Sequence, residues 1–249
     1  MAFAIIRAPW GAFESRYDNK PEPTPFQSMS GNLLAHPAVP RVVPFALYIL
    51  FLAVGGQISG IDTRWLYPVQ VGLVALAIVV FRRHYTEFRV PGAMSAGHAA
   101  LAGAVGLAVF VLWIWLDLPW MVVGEGGTGY DPRDDGRINV VLATIRILGA
   151  AVVVPIMEEL FWRSFVMRWI DKPDFLSLSP TAVTIKGLLL SSVVFGFEHH
   201  LWFAGIVAGL AYGWLYRFTG NLWVPVIAHA VTNGVLGAWV LYTGAWQFW

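Results

Sequence analysis

The sequence predicts an all-α fold, a polytopic membrane bundle of about seven helices, on three observations. Hydrophobic residues make up 57% of the 249 positions and charged ones only 12%, a balance that a water-soluble domain does not need. The apolar residues are gathered into successive stretches of bilayer-crossing length. Between those stretches lie short polar or basic connectors, with a Trp excess (13 residues) suited to anchoring at the two interfaces.

In chain order, residues 1–41 are polar and Pro-rich, with Lys20-Pro-Glu-Pro-Thr-Pro25, and read as an arm outside the bundle. Met1–Ile6 is too short an apolar run for a signal-peptide core. One transmembrane domain is expected over 42–249. Spans fit Val42–Ile58 and Leu66–Phe81, both near the lower length limit. The basic, aromatic Arg82–Arg89 suits a membrane surface. A third span covers about His98–Leu116. Asp117–Asn139 is acidic and carries five glycines, so an exposed loop is expected there. Val140–Ile170 is too long for one straight crossing and must tilt or protrude. Residues 171–183 connect it to spans at about Thr184–Glu198, Trp202–Phe218 and Leu222–Thr243. No internal repeat or second domain is visible.

Lys and Arg concentrate in the N-terminal arm and in the connectors after spans two, four and six, while the opposite set holds only Arg64, Arg133 and Arg137. For seven spans, this asymmetry places the N-terminus in the cytoplasm and the C-terminus outside a cell (inner) membrane. A net charge near +1 argues against a nucleic-acid partner, and the absence of Cys excludes disulfide and thiolate chemistry. The lipid bilayer is the partner that composition implies. Oligomeric state is not encoded in these patterns.

Of the 15 acidic residues, only Glu158, Glu159 and Glu198 fall within apolar spans. Ionisable groups at such depth are costly and mark functional sites with partners elsewhere in the bundle. Glu159 and Arg163 are i and i+4 on one helix face, the acid first, as such pairs prefer. They read as a structural pair, leaving Glu158, about 100° round the helix, free for chemistry. Phe195 and His199 share the same spacing, so the ring can buttress the imidazole; His229 and Asn233 do likewise. Measured at roughly 1.5 Å per residue from the cytoplasmic ends of their spans, Glu158, His199 and His229 lie about 18, 22 and 10 Å deep. Those depths allow one site: an acid and two imidazoles are the parts of a water-activating centre. Glu198 and His200 read as structural residues near a turn. The small residues Ala204, Gly205, Ala208, Gly209 and Gly213 read as close helix packing.

Glu158-Glu159-x-x-x-Arg163, Phe195-x-x-x-His199 and His229-x-x-x-Asn233, in that order and each in an apolar span, resemble the three-motif signature of the CAAX protease and bacteriocin-processing family of intramembrane proteases. The match covers about residues 140–243. Thr243–Trp249, together with Glu198 before His199, further resembles the CAAX-protease-related proteins of exosortase systems. The resemblance implies an intramembrane endopeptidase, a hydrolase acting on a membrane-anchored peptide or protein, such as a C-terminal CAAX-like or sorting segment. It implies catalytic roles for Glu158 as base with His199, and for His229 and Asn233 at the oxyanion. Glu159, Arg163 and Phe195 would support the site. No cofactor is demanded by this chemistry, because a carboxylate in an apolar cavity can take the water proton itself. Zinc on Glu158, His199 and His229 is the alternative, and would move the base to Glu159 or Glu198; the metal-independent route is preferred. A rival class is a transporter or proton relay, and another is an assembly or immunity scaffold on the same fold. A transporter would be expected to carry repeats or broken helices in two halves, which this chain lacks.

Overall fold

A computed structural model describes residues 36–55, 57, 62–89, 94–124 and 129–249. Almost all of these belong to one compact unit, Pro37–Trp249. Seven long helices run through it: α1 Val39–Gly55, α2 Leu66–Phe81, α3 Ala96–Trp115, α4 Val140–Trp169, α5 Ile185–Phe197, α6 Trp202–Thr219 and α7 Trp223–Thr243. Their order and positions follow the expected spans, and that of α2 coincides residue for residue. Helix α1 starts at Val39, inside the stretch read as arm; the arm up to residue 35, and the end of the first expected span at Ile58, lie outside the described residues. Among the described residues, four segments, Thr63–His84, Ala96–Trp115, Val140–Trp169 and Trp223–Thr243, are long and apolar enough to cross a bilayer, while α1 and α5 are shorter apolar helices. Large apolar side chains such as Leu52, Leu76, Val80 and Phe197 stand exposed on these helices, as lipid contact requires. The chain is a multi-pass helical membrane protein.

Local chemistry sets the helix ends. Asn139 accepts from the amides of Val141 and Leu142 and so caps α4; Ser95 caps α3 and Thr184 caps α5 in the same way. Gly220, at φ 66°, ends α6 in the left-handed conformation that glycine adopts without strain. The stretch expected as a loop contains a small antiparallel ribbon, β1 Arg133–Asp134 with β2 Arg137–Ile138. Asp135 and Gly136, both at positive φ, make the tight turn favoured between paired strands.

Helix α5 lies against α6, and the small residues are why. A Cβ on Gly205 would meet the Gly196 backbone at 2.9 Å, and one on Gly209 would meet Ser192 at 3.0 Å. The turn between the two helices is covered by the segment after α3. Val123 donates to the His200 carbonyl (3.0 Å), His200 Nδ1 pairs with the Val123 carbonyl (2.6 Å), and Phe203 donates to Met121 (3.4 Å). Backbone groups of a turn set within the bundle are satisfied in this way. The segment expected as a purely exposed loop therefore also plugs the bundle, with Met121 buried.

Helix α4 is the centre of the packing. Phe161 stacks on Phe45 of α1 at 3.9 Å, and Met157 joins Val74 of α2 in a common core. Two stretches of α4, Gly149–Val153 and Glu159–Val166, are wound as π-helix. The first has a legible cause. Pro155 has no amide hydrogen to give a preceding carbonyl. Val154 donates five residues back to Gly149, so the Ala150 carbonyl loses its usual helical donor.

Candidate active site

Asn233 answers that loss: its Nδ2 donates to the Ala150 carbonyl at 2.8 Å. The side chain expected at an oxyanion is thus anchored on the π-turn of α4, with its second N–H left over. Next to it, Glu158 and Glu159 divide as their helix faces predict. Arg163 Nε lies 3.1 Å from Glu159 Oε2, both side chains being buried. The ion pair is close but lacks hydrogen-bond alignment, since Glu159 Oε2 and both Arg163 Nη atoms have no hydrogen-bond partner. Instead the Arg163 guanidinium sits over the rings of Phe195 (4.3 Å) and Tyr212 (5.5 Å), where π faces attract the cation.

Glu159 does more than hold Arg163. Its Oε1 is 3.0 Å from His229 Nδ1, which donates to the carboxylate. His229 is also stacked on Tyr212, centroids 4.8 Å apart. His199 Nδ1 is 2.9 Å from the Phe195 carbonyl, which can only accept. The Phe195 ring buttresses the same imidazole at 4.8 Å, and Trp113 closes on it edge-on at 5.4 Å. Both histidines therefore spend Nδ1–H on a protein acceptor and keep the Nε2 lone pair. His229 Nε2 lies 3.9 Å from Glu158 Oε2, an atom that is buried with no hydrogen bond.

Glu158, His199, His229 and Asn233 line one cavity of about 180 Å³, which Tyr212 also walls. The structure thus brings together residues separated by up to 75 positions. It also adds one that the sequence reading set aside. Single donor atoms of Glu158, Glu198 and His199 lie within 4.8 Å of one another. Glu198 follows α5 with its side chain exposed, and accepts from Trp162 Nε1 at 3.2 Å. Its position beside His199 in the chain was the available signal. His200 faces the opposite way, held at Val123. Tyr212, Trp162 and Trp113 have no sequence signature and reach the site only by packing.

Together, fold and site define a membrane-embedded helical protein with a glutamate–histidine cavity inside the bundle. Residues 140–235 match the family described as type II CAAX prenyl endopeptidase Rce1-like. This match and the three motifs point to the same family over the same stretch, and so support the resemblance to the CAAX protease and bacteriocin-processing family. A curated protein of Bacillus subtilis (strain 168), named "Putative membrane peptidase YdiL", is 30% identical over 144 residues, which cover 54% of this chain and 52% of that one. The chain thus spans about half the length of this relative. No solved structure matches.

Proposed function

We propose that this chain is an intramembrane endopeptidase that hydrolyses a peptide bond of a membrane-associated peptide or protein with water activated by Glu158 and the two histidines. The observation that carries this reading is the buried, hydrogen-bond-free Glu158 Oε2 set 3.9 Å from His229 Nε2. As the water oxygen bonds to the scissile carbonyl carbon, its proton passes to Glu158. His199 Nε2 accepts the second water hydrogen and orients the attack. The proton then passes by way of His229 Nε2 to the leaving nitrogen as the C–N bond breaks. In this tautomer His229 has no Nε2–H, so it supports the oxyanion only after taking the proton from Glu158. The second Nδ2–H of Asn233 is the donor available from the start. Glu159, held by Arg163, fixes the His229 ring, as orienting carboxylates do. The family resemblance and the name of the Bacillus relative support the same class; a C-terminal CAAX-like or sorting segment as substrate rests on the family resemblance alone. The basic connectors support a multi-pass placement in the inner membrane with the N-terminus cytoplasmic.

The donors also suit zinc. Two histidines that give Nδ1–H to protein acceptors and turn Nε2 inward have the usual arrangement of metal-ligating imidazoles. Glu158 and His199 would hold such an ion with Glu198, whose donor atom lies within 4.8 Å of theirs, or with His229 in place of Glu198 only after a side-chain shift; when bound it would activate water and polarise a carbonyl. Glu159 is committed to Arg163 and His229, so the base in that case would be Glu198 when it is not itself a ligand. We favour the metal-independent form.

Glu158→Gln is the decisive variant. It should lower cleavage of a fluorescent membrane peptide by about 10²–10⁴-fold, with unchanged insertion and melting. Cleavage near wild type in the purified variant would overturn the proposal. Chelators should leave wild-type turnover intact; activity that disappears on chelation and returns with zinc would replace the metal-free form by the zinc form.

A further inference from the structure

The segment Gly244–Trp249 takes no part in the chemistry above, yet it walls the catalytic cavity. Helix α7 ends at Gly244, whose φ of 71° turns the chain back, and Trp246–Phe248 form one 3₁₀ turn. Phe248 and Trp249 line the cavity that holds Glu158 and His199. Phe248 also lines a second cavity of about 200 Å³, bounded by Asp117, Val122, His200, Leu201 and Gln247. It is thus the partition between the two. The catalytic cavity, at about 180 Å³, falls short of the roughly 300–1,000 Å³ usual for ligand sites. The two joined, with the space of the Phe248 ring added, enter that range. An extended peptide has no room beside Glu158 while the partition stands.

The partition is lightly tied. Among the described residues, one hydrogen bond joins Trp246–Trp249 to another element, from the Tyr130 amide to the Trp249 main-chain oxygen at 3.2 Å. Besides it there are ring contacts. Phe248 meets Trp239 edge-on at 5.4 Å, Trp249 meets Tyr130 at 6.2 Å, and the Arg133 guanidinium lies 5.0 Å from the Trp246 ring. Trp249 Nε1 is buried without a hydrogen bond, a cost that is relieved when the indole reaches water. A glycine hinge, a single main-chain tie and an unsatisfied donor describe a segment that lifts as a unit.

We propose that Gly244–Trp249 is a strap over the active-site cavity, which the peptide substrate displaces to reach Glu158, with Phe248 as the residue that closes it. The inference rests on the endopeptidase reading for the identity of the occupant. A peptide that binds only the open form has its apparent affinity reduced by the closed fraction, so weakening the closed form strengthens binding.

The chain has no cysteine, so spin labels go to two introduced sites at exposed positions, Val140→Cys on α4 and Gln247→Cys on the strap. In Glu158→Gln protein, which binds without catalysis, adding the fluorescent membrane peptide should lengthen and broaden the distance between the labels. A distance unchanged with peptide bound would overturn the proposal. Phe248→Ala should raise the affinity of that peptide for Glu158→Gln protein, and kcat/KM where Glu158 is kept, by about ten- to a hundredfold, the range for burial of one phenyl ring. Equal or weaker binding would show a fixed wall and overturn it as well. The labels require no change at Phe248, so they decide the matter where that variant fails to fold. Strap movement on peptide binding, with cleavage indifferent to Glu158→Gln, would sink the endopeptidase reading and leave the strap standing. Glu158-dependent cleavage beside a motionless strap would remove the strap alone. Movement that follows the bilayer thickness of the vesicles and ignores peptide would reassign the segment to lipid, again against the proposal.

Discussion

Helix α4 carries two buried ionic clusters, and they are built in opposite ways. Towards its C-terminal end, Ser164 and Arg168 meet Arg41 of α1 and Glu87 of the connector after α2. Arg41 Nη2 donates to both Glu87 oxygens (2.6 and 2.7 Å) and its Nε to Glu87 Oε1 (2.9 Å) and Ser164 Oγ (3.0 Å). Ser164 in turn donates to Glu87, and Arg168 binds the carbonyls of Leu176 and Leu178. Both arginines lie over Phe175. None of these side chains has a buried polar atom left without a hydrogen bond. In the six residues of α4 before Ser164, by contrast, Glu158, Glu159 and Arg163 each have at least one. A satisfied buried network fixes a structure, while orphaned polar atoms beside a cavity are costly unless they meet a ligand or a reacting group. The contrast separates a clamp from a site on one helix.

Breaking the clamp should have the largest effect on stability. Glu87→Ala strands Arg41 and Arg168 together, and the loss of one partner in a buried ion network costs about 3–5 kcal/mol. A large fall in melting temperature in detergent is expected, with cleavage per folded molecule retained; a melting temperature near wild type would erase the contrast. Glu159→Ala should show a mixed pattern. It strands Arg163 and frees the His229 ring, so stability and turnover fall together; loss of only one would place Glu159 wholly in one class. His229→Ala should act mainly on turnover, by about 10²–10³-fold with substrate affinity kept, the usual effect of removing one transition-state hydrogen-bonding partner, with a smaller loss of stability because Glu159 Oε1 loses its partner. Kinetics that raise KM at constant kcat would assign His229 to binding instead.

The smallest effect belongs to the loop outside both clusters. Hydrogen bonds from Arg64 to Asp62, from Arg133 to Asp131, and from Asn139 and then Arg64 to Asp134 hold these carboxyls below the usual carboxylate range. A carboxyl depressed in the folded state adds stability above its ordinary value near 4, and loses it as pH falls through the depressed one. Proteolysis of the ribbon should therefore quicken only below about pH 4; the same onset in Arg64→Gln would show that the pairs do not matter.

The clamp was the less legible of the two in the sequence. Glu159–Arg163, Phe195–His199 and His229–Asn233 can be read because each is a local helical spacing, and the depth of each follows from rise per residue. Arg41 and Glu87 are 46 positions apart and sit in stretches whose composition suggests an arm and a surface connector. Nothing local marks Glu87 as buried. Glu198 was legible as an intramembrane acid but not as a member of the site, because its side depends on where α5 ends. The π-turns escape a reading based on a 3.6-residue period, although Pro155 hints at the first.

Helix α5 has only 13 residues, roughly 20 Å of rise, against a hydrocarbon layer about 30 Å thick. Glu198, His199 and His200 therefore fall at a hairpin tip that stops short of one face of the bilayer. A bilayer can meet so short an element by thinning beside it. The proposed hydrolysis would consume a water molecule for every bond cut, and such thinning would shorten the dry distance that this water must cross. On that reading, the brevity of α5 would make the bilayer itself part of the supply line for the reaction.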